Sequence, residues 1–258
     1  MRRDELQKIM QFVADNIGDF HASRLNAMTG IKLKDLLKKC NPYLCRAKNL
    51  VCAQDFIRAL FDVRLSRSEQ TIFGAFLESI AVFTVQEMYD GKKTGAEGID
   101  LEFFRDDTYY VVSVKSGPNW GNSSATKKQK ELFTRTAKTI RQNKHVTHVR
   151  PVLGCCFGKS NADMGDYDKY CGQKFWHFLS RDDRMYIDII EPLGHQAKER
   201  DQAFKEEYGK CLNLLTAEFM KKYCRNDGGI DWEALIKLNS EQEEKRPPKK
   251  RASKKRTV

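Results

Sequence analysis

The stretch IDLEFFRDDTYYVVSVK (residues 99–115) decides how this chain reads. Two runs rich in β-branched and aromatic residues, 99–104 and 108–115, flank Arg105-Asp106-Asp107, and aspartates between such runs predict a tight hairpin. Pairing Phe104 with Tyr109, or Arg105 with Thr108, gives one and the same register, in which Asp100 faces Ser113 and Glu102 faces Val111. Alternation then puts Asp100, Ser113 and Lys115 on one face, with Lys115 diagonal to Asp100 at roughly 7–8 Å between backbones. The other face carries Ile99, Leu101, Phe103, Tyr110, Val112 and Val114 and reads as a core face. Taken alone, a carboxylate and an ammonium so placed also describe a surface salt bridge across a hairpin.

Working outward from the hairpin, SRSEQTIFGAFLESIAVFTVQEMY (66–89) predicts a helix with Ser66 or Ser68 as its cap and Gly91 just past its end. At 100° per residue Glu78 falls with Gly74, Ala75, Val82 and Val85, opposite the stripe Phe73, Phe76, Leu77, Ile80. No cation lies three or four residues from it, so a buried Glu78 needs a distant partner or a metal. On the far side of the hairpin come the loop SGPNWGNSS (116–124) and a basic helix over about 125–142. Strands follow at VTHVRPVLGCCF (146–157) and MYIDII (185–190), and a charged helix after Ala197. The first 65 residues hold helix-like stretches broken by Gly18, Gly30 and Asn41-Pro42. The expected organisation is a helical N-terminal region packed on the core (1–65), an α/β core with a mixed central sheet flanked by helices (66–240) and a disordered basic tail (241–258). No internal repeat is visible.

The formal net charge is +11, but its location matters more than its size. Residues 245–256 hold eight basic residues and no acid, and residues 108–162 hold ten basic residues against one acid, Glu131. The rest of the chain is mildly acidic. Positive charge gathered in one internal segment and one tail suits a surface that meets a polyanion. No apolar run approaches the roughly 18 residues that span a bilayer, and the N-terminus lacks the pattern of a signal peptide, so a cytoplasmic protein with no membrane partner is expected. Eight cysteines in that setting read as reduced thiols. A zinc site from His145, His148, Cys155 and Cys156 is disfavoured, because neighbours along a strand point to opposite faces.

Carboxylates and a lysine gathered in a basic chain suit phosphodiester hydrolysis. Magnesium takes hard oxygen ligands and a nearby ammonium stabilises the charge built up at phosphorus. Glu131 either pairs with Lys127, Lys128 or Arg135 along its helix or contributes to such a site. The order Glu78, then Gly98-Ile99-Asp100, then Ser113-Val114-Lys115 resembles the PD-(D/E)XK nuclease superfamily. The longer string VVSVKSGPNWGNSSATKKQKELF (111–133), with NPYLCRAKN, SEQTIFGAFLESIA, CGQKFWHFLS and DIIEPLGH, is similar to the PmeII-like type II restriction endonucleases over roughly residues 40–220.

That resemblance implies a restriction-endonuclease-like core, Mg2+ as cofactor and sequence-specific cleavage of double-stranded DNA. Two positions depart from the motif: Ile99 replaces the proline before the aspartate, and Ser113 replaces the middle carboxylate. Some enzymes with serine there relocate the acid to a following helix, where Glu131 is the candidate. The catalytic set implied is Asp100, Lys115, Glu78, Ser113 and Glu131, with Asp100, Glu78 and Glu131 as metal ligands and Ser113 positioning a water. Asn119, Trp120, Asn122, Ser123, Lys127 and Lys128 are candidate DNA contacts, Trp120 either by stacking or wedging or only as an anchor of its loop. A homodimer would supply one site per strand. The alternatives are a non-catalytic DNA-binding module, which the missing acid at Ser113 favours, and a structure-selective repair nuclease.

Overall fold

Two consecutive aspartates with left-handed backbones, Asp106 (φ 48°) and Asp107 (φ 56°), reverse the chain within two residues. Positive φ at both central positions is the two-residue turn whose twist matches a hairpin, and aspartate is among the few residues that tolerate it. In the computed structural model, which describes residues 3–144 and 146–241, the sheet grows from this turn. In chain order the elements are α1 (Arg3–Thr29), α2 (Leu33–Leu37), α3 (Pro42–Ala47), α4 (Ala53–Tyr89), β1 (Lys92–Lys93), β2 (Leu101–Arg105) and β3 (Thr108–Lys115). Then follow α5 (Ser123–Lys144), β4 (His148–Cys155), β5 (Ala162–Asp163), β6 (Asp168–Cys171), α6 (Gln173–Ser180), α7 (Met185–Asp188), α8 (Ile190–Leu193), α9 (Ala197–Tyr223) and α10 (Trp232–Ser240).

The six strands form one mixed sheet in the order β1-β2-β3-β4-β6-β5. β2 and β3 pair antiparallel with Arg105 opposite Thr108 and Glu102 opposite Val111, the predicted register. β4 runs parallel to β3, and β6 parallel to β4. A parallel neighbour needs a crossover, and α5 supplies it between β3 and β4.

Both faces of this sheet are covered. On one, Leu101, Phe103, Val112, Val114 and Val152 pack with Ile9, Val13 and Ile17 of α1, Ile80 and Val85 of α4, and Phe175 and Trp176 of α6. On the other, Tyr109, Val111 and Leu153 pack with Phe133, Ala137 and Ile140 of α5. Burial on both sides explains why β3 reads as a nearly continuous apolar run. Ile99 belongs to the α5 side, not to the Leu101 side that simple alternation gives it. The strand begins at Leu101, and Ile99, two residues before it, does not follow the pleat.

The chain divides into two compact units, residues 1–30 with 65–209, and residues 31–64 with 210–258. A boundary does fall at 64/65, next to the expected division, but residues 1–30 group with the sheet unit and residues 31–64 with the chain from 210 onward. α1 joins the sheet unit through Ile9, Val13 and Ile17, and of the three boundaries along the chain one falls between α1 and α2 and two inside the long helices α4 and α9. In the second unit Phe56 stacks on Phe219 at 5.0 Å, and Asn41 and Asp231 cap α3 and α10. The basic tail expected at 241–258 lies outside the described residues beyond Glu241, as does His145 of the rejected zinc set.

Other local expectations change for physical reasons. Gly18 does not break α1; it sits mid-helix where a Cβ would meet the Arg200 guanidinium at 2.9 Å. Ser66 and Ser68 cap nothing, because α4 starts at Ala53 and runs 37 residues through them. Among the described residues α4 is also long and apolar enough to cross a membrane by length and composition. Its Phe76, Leu77, Ile80, Ala81 and Val85 instead lie in the sheet's core. MYIDII forms two short helices rather than a strand: Met185 and Ile189, four apart, are buried while Tyr186, Ile187 and Ile190 are exposed, a helical spacing of burial.

Gly154, in the middle of the sheet, is where this packing is tightest. A Cβ there would lie 2.1 Å from Cε2 of the fully buried Phe175 ring. Gly154→Ala is expected to lower stability by about 1–3 kcal/mol through overpacking. Urea unfolding checks this, and an unchanged midpoint would show that the ring has room to move.

Candidate active site

Asp100 sits one residue before β2, with its N–H donating to the Val112 carbonyl at 2.9 Å. Gly98 sets it there by adopting φ +72°; a side chain at that position would also strike Leu132 Cδ1, 2.5 Å from the ideal Cβ. The Asp100 carboxylate is drawn onto β3. Its Oδ2 accepts from the Val114 N–H at 2.5 Å and from the Ser113 hydroxyl at 3.3 Å, and lies 3.8 Å from Lys115 Nζ. All three contacts fall on Oδ2 and none on Oδ1. Asp100, Ser113 and Lys115 thus meet, as the register predicts.

The electrostatics are opposed. Burial pushes the Asp100 pKa up, and Glu78 adds to this, while Lys115, the Val114 N–H and Ser113 pull the other way without overcoming it. Lys115 Nζ also stands 5.5 Å from the Trp120 ring centroid, over its face.

Glu78 comes from α4, on the helix face that meets the end of β3. One turn earlier Gly74 lies against Ser116, where a Cβ would touch the serine Cβ at 3.7 Å. The distant partner Glu78 requires is Lys93 of β1, whose Nζ donates to Oε1 at 2.9 Å. That hydrogen bond is the main reason the Lys93 pKa is raised, and Asp100 contributes weakly. Glu78, Asp100, Lys115 and Lys93 therefore form one cluster of two acids and two bases. Lys93 carries no sequence signal, being one of two adjacent lysines in a two-residue edge strand.

α5 does not bring Glu131 into this cluster. Glu131 is exposed. The residue of α5 that reaches the site is Gln129, two positions earlier and so about 200° around the helix. Gln129 is buried, donates through Nε2 to the Gly98 carbonyl at 2.8 Å, and receives Ser113 Oγ at 3.4 Å on Oε1. The motif calls for an acid, and an amide on this helix carries no such signature. The signal that finds it is the phase of α5, in which Gln129, Leu132, Phe133 and Thr136 share the buried face.

The candidate DNA contacts separate. Asn119, Ser123 and Lys127 are exposed, and Lys128 is exposed and paired with Glu97 at 3.4 Å. Asn122 caps α5, its Oδ1 accepting from the Ala125 N–H at 3.0 Å. Trp120 is half-buried against the Ile99–Tyr109–Phe133 cluster.

Among the described residues no three His, Cys, Asp or Glu side chains lie together as a metal cage, so the trio Asp100, Glu78 and Glu131 is not assembled. Two carboxylates remain, with Asp100 Oδ1 outside the contacts made by Oδ2. That donor set fits a hard cation of the magnesium type, which commonly keeps several waters and takes one or two protein carboxylates together with substrate phosphate.

A family model described as type II restriction endonuclease EcoO109I matches residues 7–201. No curated protein sequence matches the chain.

The opposed electrostatics have a measurable consequence. A buried acid whose folded pKa is raised costs stability when ionised, and the cost vanishes once pH falls below the unfolded value near 3.9. Asp100→Asn is therefore expected to raise the melting temperature at pH 7 in EDTA. The gap should close toward pH 4, and a melting temperature lowered at pH 7 would contradict the assignment of strain to this charge.

Proposed function

Because the chain belongs to the family of the type II restriction endonuclease EcoO109I, and is thus an endonuclease of restriction systems acting on DNA, we propose that it cuts double-stranded DNA at a specific sequence. Mg2+ is the proposed cofactor and the Asp100–Lys115 cluster the proposed active site. The observation that carries this reading is the 3.8 Å approach of Lys115 Nζ to Asp100 Oδ2 at the end of the central hairpin, with Glu78 beside them. A PD-(D/E)XK site without the middle acid is the reading this arrangement supports, and the resemblance of the string 111–133 supports a PmeII-like member of the family.

Asp100 and Glu78 would hold the cation, which supplies Lewis acidity at the scissile phosphate and neutralises its charge. Lys115, a point charge with adaptable donors, would stand at the scissile phosphate and stabilise the negative charge that develops there. Ser113 keeps the Asp100 carboxylate aimed. Asn119, Ser123 and Lys127 are exposed at the loop and first turn of α5, where they suit phosphate contacts, and Trp120 anchors that loop. Asn122 acts through the cap it gives α5. A homodimer would present one such cluster to each strand.

Digestion of a fully sequenced phage genome with Mg2+ should give discrete fragments whose ends share one sequence. Asp100→Ala and Lys115→Ala should each lower cleavage by about 100-fold or more while keeping the circular dichroism of the parent. If Asp100→Ala cuts as well as the parent, the site is misassigned. Salt-sensitive binding without cleavage under any divalent ion would instead support a DNA-binding module, the reading that the missing acid at Ser113 favours. Cutting confined to branched or mismatched DNA would support a repair nuclease.

A further inference from the structure

We propose that Gln129 is a positioning residue that sets the charge of the cation site, a neutral amide standing where α5 could otherwise offer a third carboxylate. The inference rests on the reading of Asp100 as a cation ligand and deepens it.

A buried amide must be satisfied on both sides, and its surroundings fix which way it points. The Gly98 carbonyl can only accept, so it holds Nε2 at 2.8 Å. The amide oxygen is thereby turned toward Ser113 Oγ at 3.4 Å. Ser113 is wholly buried and has one proton for two acceptors, Asp100 Oδ2 at 3.3 Å and Gln129 Oε1 at 3.4 Å. Gln129 thus gives that proton a second place to go, while Asp100 Oδ2 keeps the Val114 N–H at 2.5 Å and Oδ1 is the oxygen left to face a cation. It also grips the backbone two residues before Asp100. One side chain therefore steadies the aspartate through both its hydroxyl partner and its own strand entry.

The choice of amide over acid follows from the same contacts. A carboxylate at this position would set an oxygen against the Gly98 carbonyl with no proton between them. It would also bring a further buried negative charge close to Asp100, where Glu78 already adds one. A bound divalent ion is what would relieve this repulsion. Gln129→Glu should therefore weaken the protein without the ion and strengthen its hold on the ion. Glu131 cannot play this part from the exposed side of α5.

The test uses the full chain without DNA, so that no turnover enters the readout. Mg2+ binding is measured by titration calorimetry, and melting temperature with and without Mg2+, for the parent, Gln129→Glu, Gln129→Ala and Asp100→Ala. Gln129→Glu is expected to melt lower than the parent in EDTA, to gain more from Mg2+, and to bind Mg2+ about 10-fold more tightly or better. Gln129→Ala should bind Mg2+ about 10-fold more weakly, the scale typical of lost outer-shell support. Gln129→Ala that melts lower but binds Mg2+ like the parent would reduce Gln129 to a packing role and overturn the inference. So would a folded Gln129→Glu protein that binds no tighter while Asp100→Ala loses binding, and the proposed site would then still stand. If Asp100→Ala binds Mg2+ like the parent, the site itself falls.

Discussion

A slip of one residue between β2 and β3 would carry the Asp100 carboxylate to the opposite face from Ser113 and separate it from Lys115, because side chains alternate with a period of two. The two-residue turn at Asp106-Asp107 prevents this. It fixes Arg105 opposite Thr108, and every pairing back to Leu101–Val112 follows. The Val114 N–H then lies where the Asp100 carboxylate can take it, and Lys115 follows one residue later. A local backbone preference thus propagates along five pairs and ends as a charge cluster.

The cluster depends equally on the layers around the sheet. Apolar packing on both faces leaves few places where polar groups can survive, and the site occupies one of them, at the end of β3 where the strand runs out. α4 brings Glu78 to it from one side and α5 brings Gln129 from the other. The edge strand β1 supplies Lys93 as the countercharge to the half-buried Glu78. Burial that disfavours an ionised Asp100 is the kind of cost a protein bears where function needs a poised charge.

The hairpin, its turn, its register and the meeting of Asp100, Ser113 and Lys115 were legible in the sequence, as were the existence of α4, α5 and α9. Each depends on periodicity or turn chemistry within a short span. The MYIDII segment was not, since a short apolar run fits a strand or a helix equally until its burial is known. The limits of α1 and α4 also escaped, because packing against the sheet carries α1 through Gly18 and α4 runs from Ala53 through two serines that look like caps.

The sequence by itself determined that an acid, a hydroxyl and a lysine converge on one hairpin, and that a basic segment follows them. Only the tertiary structure decided who stands beside them: Gln129 rather than Glu131 from α5, and Lys93 as the partner of Glu78. The physical reason is that contacts across a sheet–helix interface are set by how a helix is rotated when its whole apolar face packs. Leu132, Phe133 and the other buried residues of α5 fix that rotation together, and the polar residue that ends up facing the site is a consequence of their sum.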